Sequence, residues 1–234
     1  MKKVLVLSLA LIILLGIMSG GTSSYFSDTE TSAGNTFTAW VEVCPPDSMI
    51  IVSDTNTMVT EVKGQPTPPP PQNAVLAWEH GTWNSSLIYN TTPYTFSDGA
   101  QWIWETYETD DPGASAPIDG RVVRFVRTFE IPCWPVGADL YITVDNGYTV
   151  WINGYFVGCA QVDPCIGWET TDLTEPYVYT GGWETVKYYP IPASYLIVGT
   201  NTLEILAANE QMDGGNATSN PAGLIYWLEV EWGY

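Results

Sequence analysis

Apolar and polar residues alternate with a period of two along much of this chain, and that pattern limits its fold more than any other feature. Leu224, Tyr226, Leu228, Val230 and Trp232 alternate with Ile225, Trp227, Glu229 and Glu231. Leu140, Ile142 and Val144 alternate in the same way with Tyr141 and Thr143. Successive side chains of a strand point to opposite faces, so this spacing builds half-buried strands. No stretch beyond the N-terminal leader sustains a helical period. Asp145-Asn146-Gly147 and Asn153-Gly154 are hairpin-turn sequences, because Asn-Gly tolerates the positive φ of primed turns. Residues 138–158 therefore read as three consecutive antiparallel strands. Further strands are expected at 74–79, 101–107, 121–130, 185–189 and 201–208. Many short strands separated by turn signals imply an all-β fold, an antiparallel β-sandwich of the jelly-roll kind.

The run Pro66-Thr67-Pro68-Pro69-Pro70-Pro71-Gln72 cannot enter a central strand and marks a semi-rigid linker, 66–72. Upstream, residues 25–65 form an N-terminal strand-forming extension, with strand-like pieces at Thr36–Val43, Met49–Val52 and Thr57–Val62. Downstream, 73–234 is long enough for a complete sandwich.

Residues 1–24 read as an export signal. Lys2 and Lys3 are followed by an apolar run from Val4 to Met18 and then by small residues, Ser19-Gly20-Gly21-Thr22-Ser23-Ser24. The apolar run is shorter than a spanning helix needs and is interrupted by Ser8 and Gly16. Cleavage before Tyr25 or Phe26 gives a secreted protein with no stable membrane span, acting outside the cell or on its surface. Loss of the two lysines takes the formal charge from −19 to −21. Such a field repels nucleic acid, which is excluded as a partner. The chain is nevertheless 45% hydrophobic, with 11 Trp and 14 Tyr, so the acidity does not signal disorder.

Four cysteines in an exported chain imply two disulfides, with three connectivities open. Cys159 and Cys165 bracket a short loop containing Asp163-Pro164 and are expected to pair locally, leaving Cys44 with Cys133. Asn84, Asn90 and Asn216 head glycosylation sequons. No cofactor is required. Oxygen ligands at Asp110-Asp111, Asp145-Asn146 or Asp163 would suit a structural calcium, but no twelve-residue ligand loop fixes the position, and the metal stays unknown.

Two segments resemble known families. Tyr25-Phe26-Ser27-Asp28-Thr29-Glu30, followed by Gly34-Asn35-Thr36-Phe37-Thr38-Ala39, resembles the start of the TasA/camelysin group of exported proteins. That group includes fibre and pilus subunits in which an N-terminal strand completes a neighbouring subunit's sheet. The resemblance implies a filament subunit. Asp145-Asn146-Gly147-Tyr148-Thr149-Val150-Trp151-Ile152-Asn153-Gly154 is similar to a segment of galactose-binding-like jelly rolls. Gly199-Thr200-Asn201-Thr202-Leu203-Glu204-Ile205, Asn209 and Asn220-Pro221-Ala222-Gly223-Leu224-Ile225 continue that likeness in the expected order, across 121–230.

Catalytic constellations are missing from the sequence. His80 is the only imidazole and has no nucleophile elbow near it, and the many acidic residues give too many carboxylate pairs to single one out. The expectation is therefore no enzyme. Arg121, Arg124 and Arg127 lie on one expected strand, Arg121 and Arg127 on one face and Arg124 on the other; they either pair with local carboxylates or meet an acidic neighbour. The leading expectation is a cell-surface or biofilm-matrix protein that polymerises head to tail with itself. Its contact strand would be Thr36–Val43, with Phe37, Ala39, Val41 and Val43 on one face. The alternative is a non-catalytic carbohydrate-binding jelly roll that grips surface glycans through Trp151, Tyr155, Trp168 and Trp183.

Overall fold

The computed structural model describes residues 31–32, 35–36, 44–63, 71–77, 99–105, 119–160, 165, 186–211 and 222–233. The described residues before Cys44 belong to a unit of their own. In it, β1 (Thr31–Ser32) pairs antiparallel with β2 (Asn35–Thr36). The export signal, the contact strand beyond Thr36, and Asn84, Asn90 and Asn216 lie outside the described residues.

From Cys44 onward the strands are β3 (Asp47–Val52), β4 (Met58–Val62), β5 (Gln72–Asn73), β6 (Val75–Leu76), β7 (Ile103–Trp104) and β8 (Asp119–Ile131). They continue as β9 (Pro135–Asp145), β10 (Gly147–Ile152), β11 (Tyr155–Ala160), β12 (Lys187–Pro192), β13 (Gly199–Gln211) and β14 (Gly223–Trp232). Sheet I runs β11-β10-β13-β8-β4-β5, and sheet II runs β12-β9-β14-β7-β6, with β3 also paired to β14. The pairs among the described residues are antiparallel. The protein is an all-β sandwich.

The period-two reading places the core correctly. Leu203, Ile205 and Ala207 of sheet I, and Leu140, Ile142 and Val144 of sheet II, join one buried cluster with Trp104, Phe125, Tyr148 and Tyr226. Each large apolar side chain withdrawn from water contributes roughly 1.5–3 kcal/mol against chain entropy. The alternate residues Leu206 and Ala208 join a separate small cluster with Val122, against which Trp151 and Cys159 pack.

Two boundaries differ from expectation. The described residues 44–63 are no separate extension: β3 pairs with Trp227–Trp232 and β4 with Val123–Val126. Both strands carry apolar residues that the sheets bury, Ile51, Val59 and Val62. Gln72, at the end of the linker reading, is already in β5.

The turn at Asp145-Asn146-Gly147 differs more. It is not a hairpin, because β9 belongs to sheet II and β10 to sheet I. Only the second Asn-Gly sequence closes a hairpin, between β10 and β11, with Asn153 at φ 49° and Gly154 at φ 80°. These are the positive values that a primed turn requires. At the first position Asn146 spends its groups across the gap instead. Its N–H donates to the Ala208 carbonyl (2.9 Å), and its Oδ1 accepts from the Glu210 N–H (2.8 Å).

Both disulfides form as expected, Cys44–Cys133 with Cα atoms 5.9 Å apart and Cys159–Cys165 at 5.7 Å. They mark folding in an oxidising compartment. Arg124 pairs with Glu61 (2.9 Å) and Glu204, and Arg127 with Asp54 (2.9 Å). Local charge pairing, not an acidic neighbour, accounts for these two arginines; Arg121's side chain lies outside the description. Such half-exposed pairs are worth about 1 kcal/mol or less each.

Candidate functional site

Several buried polar residues gather where the chain crosses between the sheets. Asp145 is the last residue of β9, opposite Gly223, and Gly147 is the first of β10, opposite Ala208. Asn146 therefore lies beside residues 208–210 of β13. Asp145, Asn146 and Asn209 are 3%, 4% and 0% exposed. Glu105, 3% exposed, follows β7 at the same end, on the far side of β14.

Asn209 decides the character of this corner. It continues the inward series Leu203, Ile205, Ala207, so its position in the strand is a core position. Ala208 and Glu210 on either side of it bond Asn146 through their main chain. Both the Nδ2 and the Oδ1 of Asn209 lack a protein partner. A buried amide left this way costs about 1–3 kcal/mol per group, so it calls for a partner from outside the chain, a water, an ion or a ligand.

A second asparagine system shows the opposite condition. Asn153 Nδ2 donates to the Tyr195 carbonyl (2.9 Å) and to Asn201 Oδ1 (2.7 Å), and its Oδ1 accepts from the Thr202 N–H (2.9 Å). Asn201 Nδ2 donates to the carbonyls of Ile197 (2.7 Å) and Gly199 (2.8 Å), while its Oδ1 also accepts from the Ile197 N–H (2.9 Å). These two side chains hold the β10–β11 turn to the segment before β13. Their role is structural.

Between them sits a tyrosine pair. Tyr148 and Tyr189 hydroxyls are 3.2 Å apart, and Tyr189 donates to the Cys159 carbonyl at 3.1 Å. The Tyr189 ring lies over Gly158, where a Cβ would come within 2.3 Å of the ring. Burial pushes both hydroxyl pKa values up; the charge of Tyr189 and the hydrogen bond to it raise Tyr148 further, while that bond lowers Tyr189. Tyr226 is also raised by burial, offset in part by its hydrogen bond with Thr57.

Carboxylate and amide oxygens are hard donors, suited to a calcium ion or to sugar hydroxyls. Among the described residues there is no group of three or more His, Cys, Asp or Glu that could hold a metal, so a cation at this corner would need the amide oxygens of Asn146 and Asn209.

No family model matches the chain. An α-L-rhamnosidase from Streptomyces avermitilis is 30% identical over 156 residues, which is 63% of this chain and 13% of that enzyme. The chain thus spans about an eighth of the length of the relative it matches. A crystal structure of a Streptomyces avermitilis α-L-rhamnosidase complexed with L-rhamnose is 28% identical at a TM-score of 0.35, covering 54% of this chain and 10% of that one. An FMN-binding β-glucuronidase from Facaelibacterium prausnitzii is 15% identical at 0.36, covering 78% and 23%.

The similarity to part of a glycosidase overturns the expectation of a pilus-like filament subunit and favours a carbohydrate-related module. Phe37, Ala39, Val41 and Val43, on which polymerisation by strand donation rested, lie outside the described residues.

The aromatic candidates divide. Trp151 is half-buried and meets Phe156 edge-on at 6.5 Å, while Tyr155 is 51% exposed and stacks on Tyr195 at 4.8 Å. Trp168 and Trp183 lie outside the described residues, as do Asp110, Asp111 and Asp163 among the calcium candidates. Strand register and two hydrogen bonds set Asn146 beside Asn209, with Asp145 its chain neighbour. In the sequence Asn209 belonged only to a fold resemblance. The signal for it was there: a polar residue at an inward position of an otherwise apolar alternation.

Proposed function

We propose that this chain is an exported, non-catalytic carbohydrate-binding β-sandwich that takes a rhamnose-containing saccharide at the Asp145-Asn146-Asn209 corner. The observation that carries the reading is the fully buried Asn209 amide, with neither polar atom partnered, beside the sheet crossing. The relative named as an α-L-rhamnosidase supports the sugar class, and its far greater length supports a binding part over a complete enzyme. The side-chain oxygens of Asp145, Asn146 and Asn209 would hold a calcium ion, and such an ion would fix sugar hydroxyls by direct coordination. The residues themselves would orient the sugar: Nδ2 of Asn209 donates and the carboxylate of Asp145 accepts. Residues 1–24 would direct export.

Calorimetry with L-rhamnose, with calcium and after chelation, tests this. Binding is expected to require calcium. Asp145→Ala is expected to lower affinity at least roughly thirtyfold, the factor matching about 2 kcal/mol for a desolvated polar partner. The purified chain is expected to release no sugar from rhamnosides. Wild-type affinity in Asp145→Ala, or turnover by the purified chain, would contradict the proposal.

A further inference from the structure

We propose that the outer face of sheet II is a second saccharide-binding surface, a groove across β12, β9 and β14 that takes a neutral polysaccharide chain. This rests on the carbohydrate reading above but uses none of the corner residues. The groove has a volume of about 150 Å³, and Val136, Gly137, Asp139, Pro190, Glu229 and Glu231 line it.

Strand register explains its shape. Asp139 lies opposite Pro190 on one side and Glu229 on the other, and Gly137 lies opposite Glu231. Asp139, Glu229 and Glu231 therefore fall on one face, on neighbouring strands about 4.8 Å apart. Gly137 keeps the floor low, since a Cβ there would stand 3.2 Å from the Ile191 carbonyl.

At the β12 edge Tyr188 is 49% exposed and donates its hydroxyl to Asp139 Oδ1 at 2.8 Å. Its ring stacks on Tyr141 at 5.1 Å and 28°, and Tyr141 rests against Trp227 at 5.3 Å. The exposed ring is thus fixed before any ligand arrives, which removes the ordering cost that a free side chain would add on binding. A fixed flat ring accepts the C–H face of a sugar, and carboxylates beside it accept hydroxyl protons.

Charge selects within the saccharides. Among the described residues no basic side chain lines the groove, three carboxylates do, and the whole chain carries −19. Uronate or sulfate chains are repelled, and neutral ones are not. Asp139 and Asp145 lie six positions apart on one strand, about 20 Å at 3.3 Å per residue. One polymer can therefore engage groove and corner together, so the groove acts mainly through effective concentration.

The test compares a neutral rhamnose-bearing polysaccharide, followed by retardation in native gels, with free L-rhamnose, followed by calorimetry. Tyr188→Ala and, separately, Glu229→Gln with Glu231→Gln are expected to weaken polymer binding at least about tenfold, part of the roughly hundredfold or more that a linked second contact can add. Rhamnose binding should be unchanged in both variants, which also shows that they are folded. Polygalacturonate should not be retarded. Wild-type polymer retention in both variants overturns the groove while leaving the corner standing. Retardation by polygalacturonate overturns the ligand class. No binding of either sugar form by the wild type overturns both this inference and the proposed function.

Discussion

Asn146-Gly147 and Asn153-Gly154 are the same dipeptide seven residues apart, yet they serve different ends. At Asn153 the chain reverses within sheet I, and the side chain joins Asn201 in a network that uses amide donors and acceptors on both residues. At Asn146 the chain leaves one sheet for the other, and the neighbouring Asn209 is buried with no protein partner for its amide. A saturated buried amide is part of the scaffold. An unsaturated one at the end of a sandwich calls for a partner from outside the chain, a water, an ion or a ligand.

The largest expected effect lies at the saturated pair. Asn201→Ala strands the Ile197 N–H and the Ile197 and Gly199 carbonyls, and removes a partner of Asn153. Unfolding in denaturant should show a loss of about 3 kcal/mol, summed from groups worth roughly 1 kcal/mol or more each. Sugar binding by the folded fraction should be preserved. A loss under about 0.5 kcal/mol, the range of ordinary surface substitutions, would dissolve the contrast between the two turns.

The tyrosine pair between the turns offers a second way to break it. Tyr148, Tyr189 and Tyr226 have folded-state pKa values above the ordinary value near 10. A raised folded pKa means that the unfolded chain loses protons first. Their contribution is therefore intact below about pH 10 and declines as pH rises past it. Absorbance of tyrosinate should rise in two stages, exposed phenols first and these three only with cooperative loss of structure. If all the tyrosines titrate together near pH 10 in a folded protein, the buried hydroxyls are not part of the saturated scaffold.

Much of the scaffold was legible in the sequence. The alternation Leu224–Trp232 and Leu140–Val144 placed the core strands, and the short span between Cys159 and Cys165 placed a disulfide. Strand ends were less legible. β8 and β13 extend beyond 121–130 and 201–208, because each continues to pair with the other as far as Asp119 and Gln211. The sheet crossing was not legible, since Asp145-Asn146-Gly147 has the composition of a hairpin and only tertiary bonds to Ala208 and Glu210 make it otherwise. The same limit hid the groove. Asp139 and Tyr188 are 49 positions apart, and nothing local announces that β12 lies against β9.

Asn209→Ala, measured for stability and for binding in the same preparation, tests the central claim most directly. Removing an amide that bonds nothing in the protein takes away a desolvated group and leaves only a small void. Stability should stay the same or rise by about 1 kcal/mol, in contrast to Asn201→Ala, while calcium-dependent rhamnose binding disappears. A fall in stability as large as that of Asn201→Ala, with sugar binding retained, would show that Asn209 belongs to the scaffold and that the corner is no binding site.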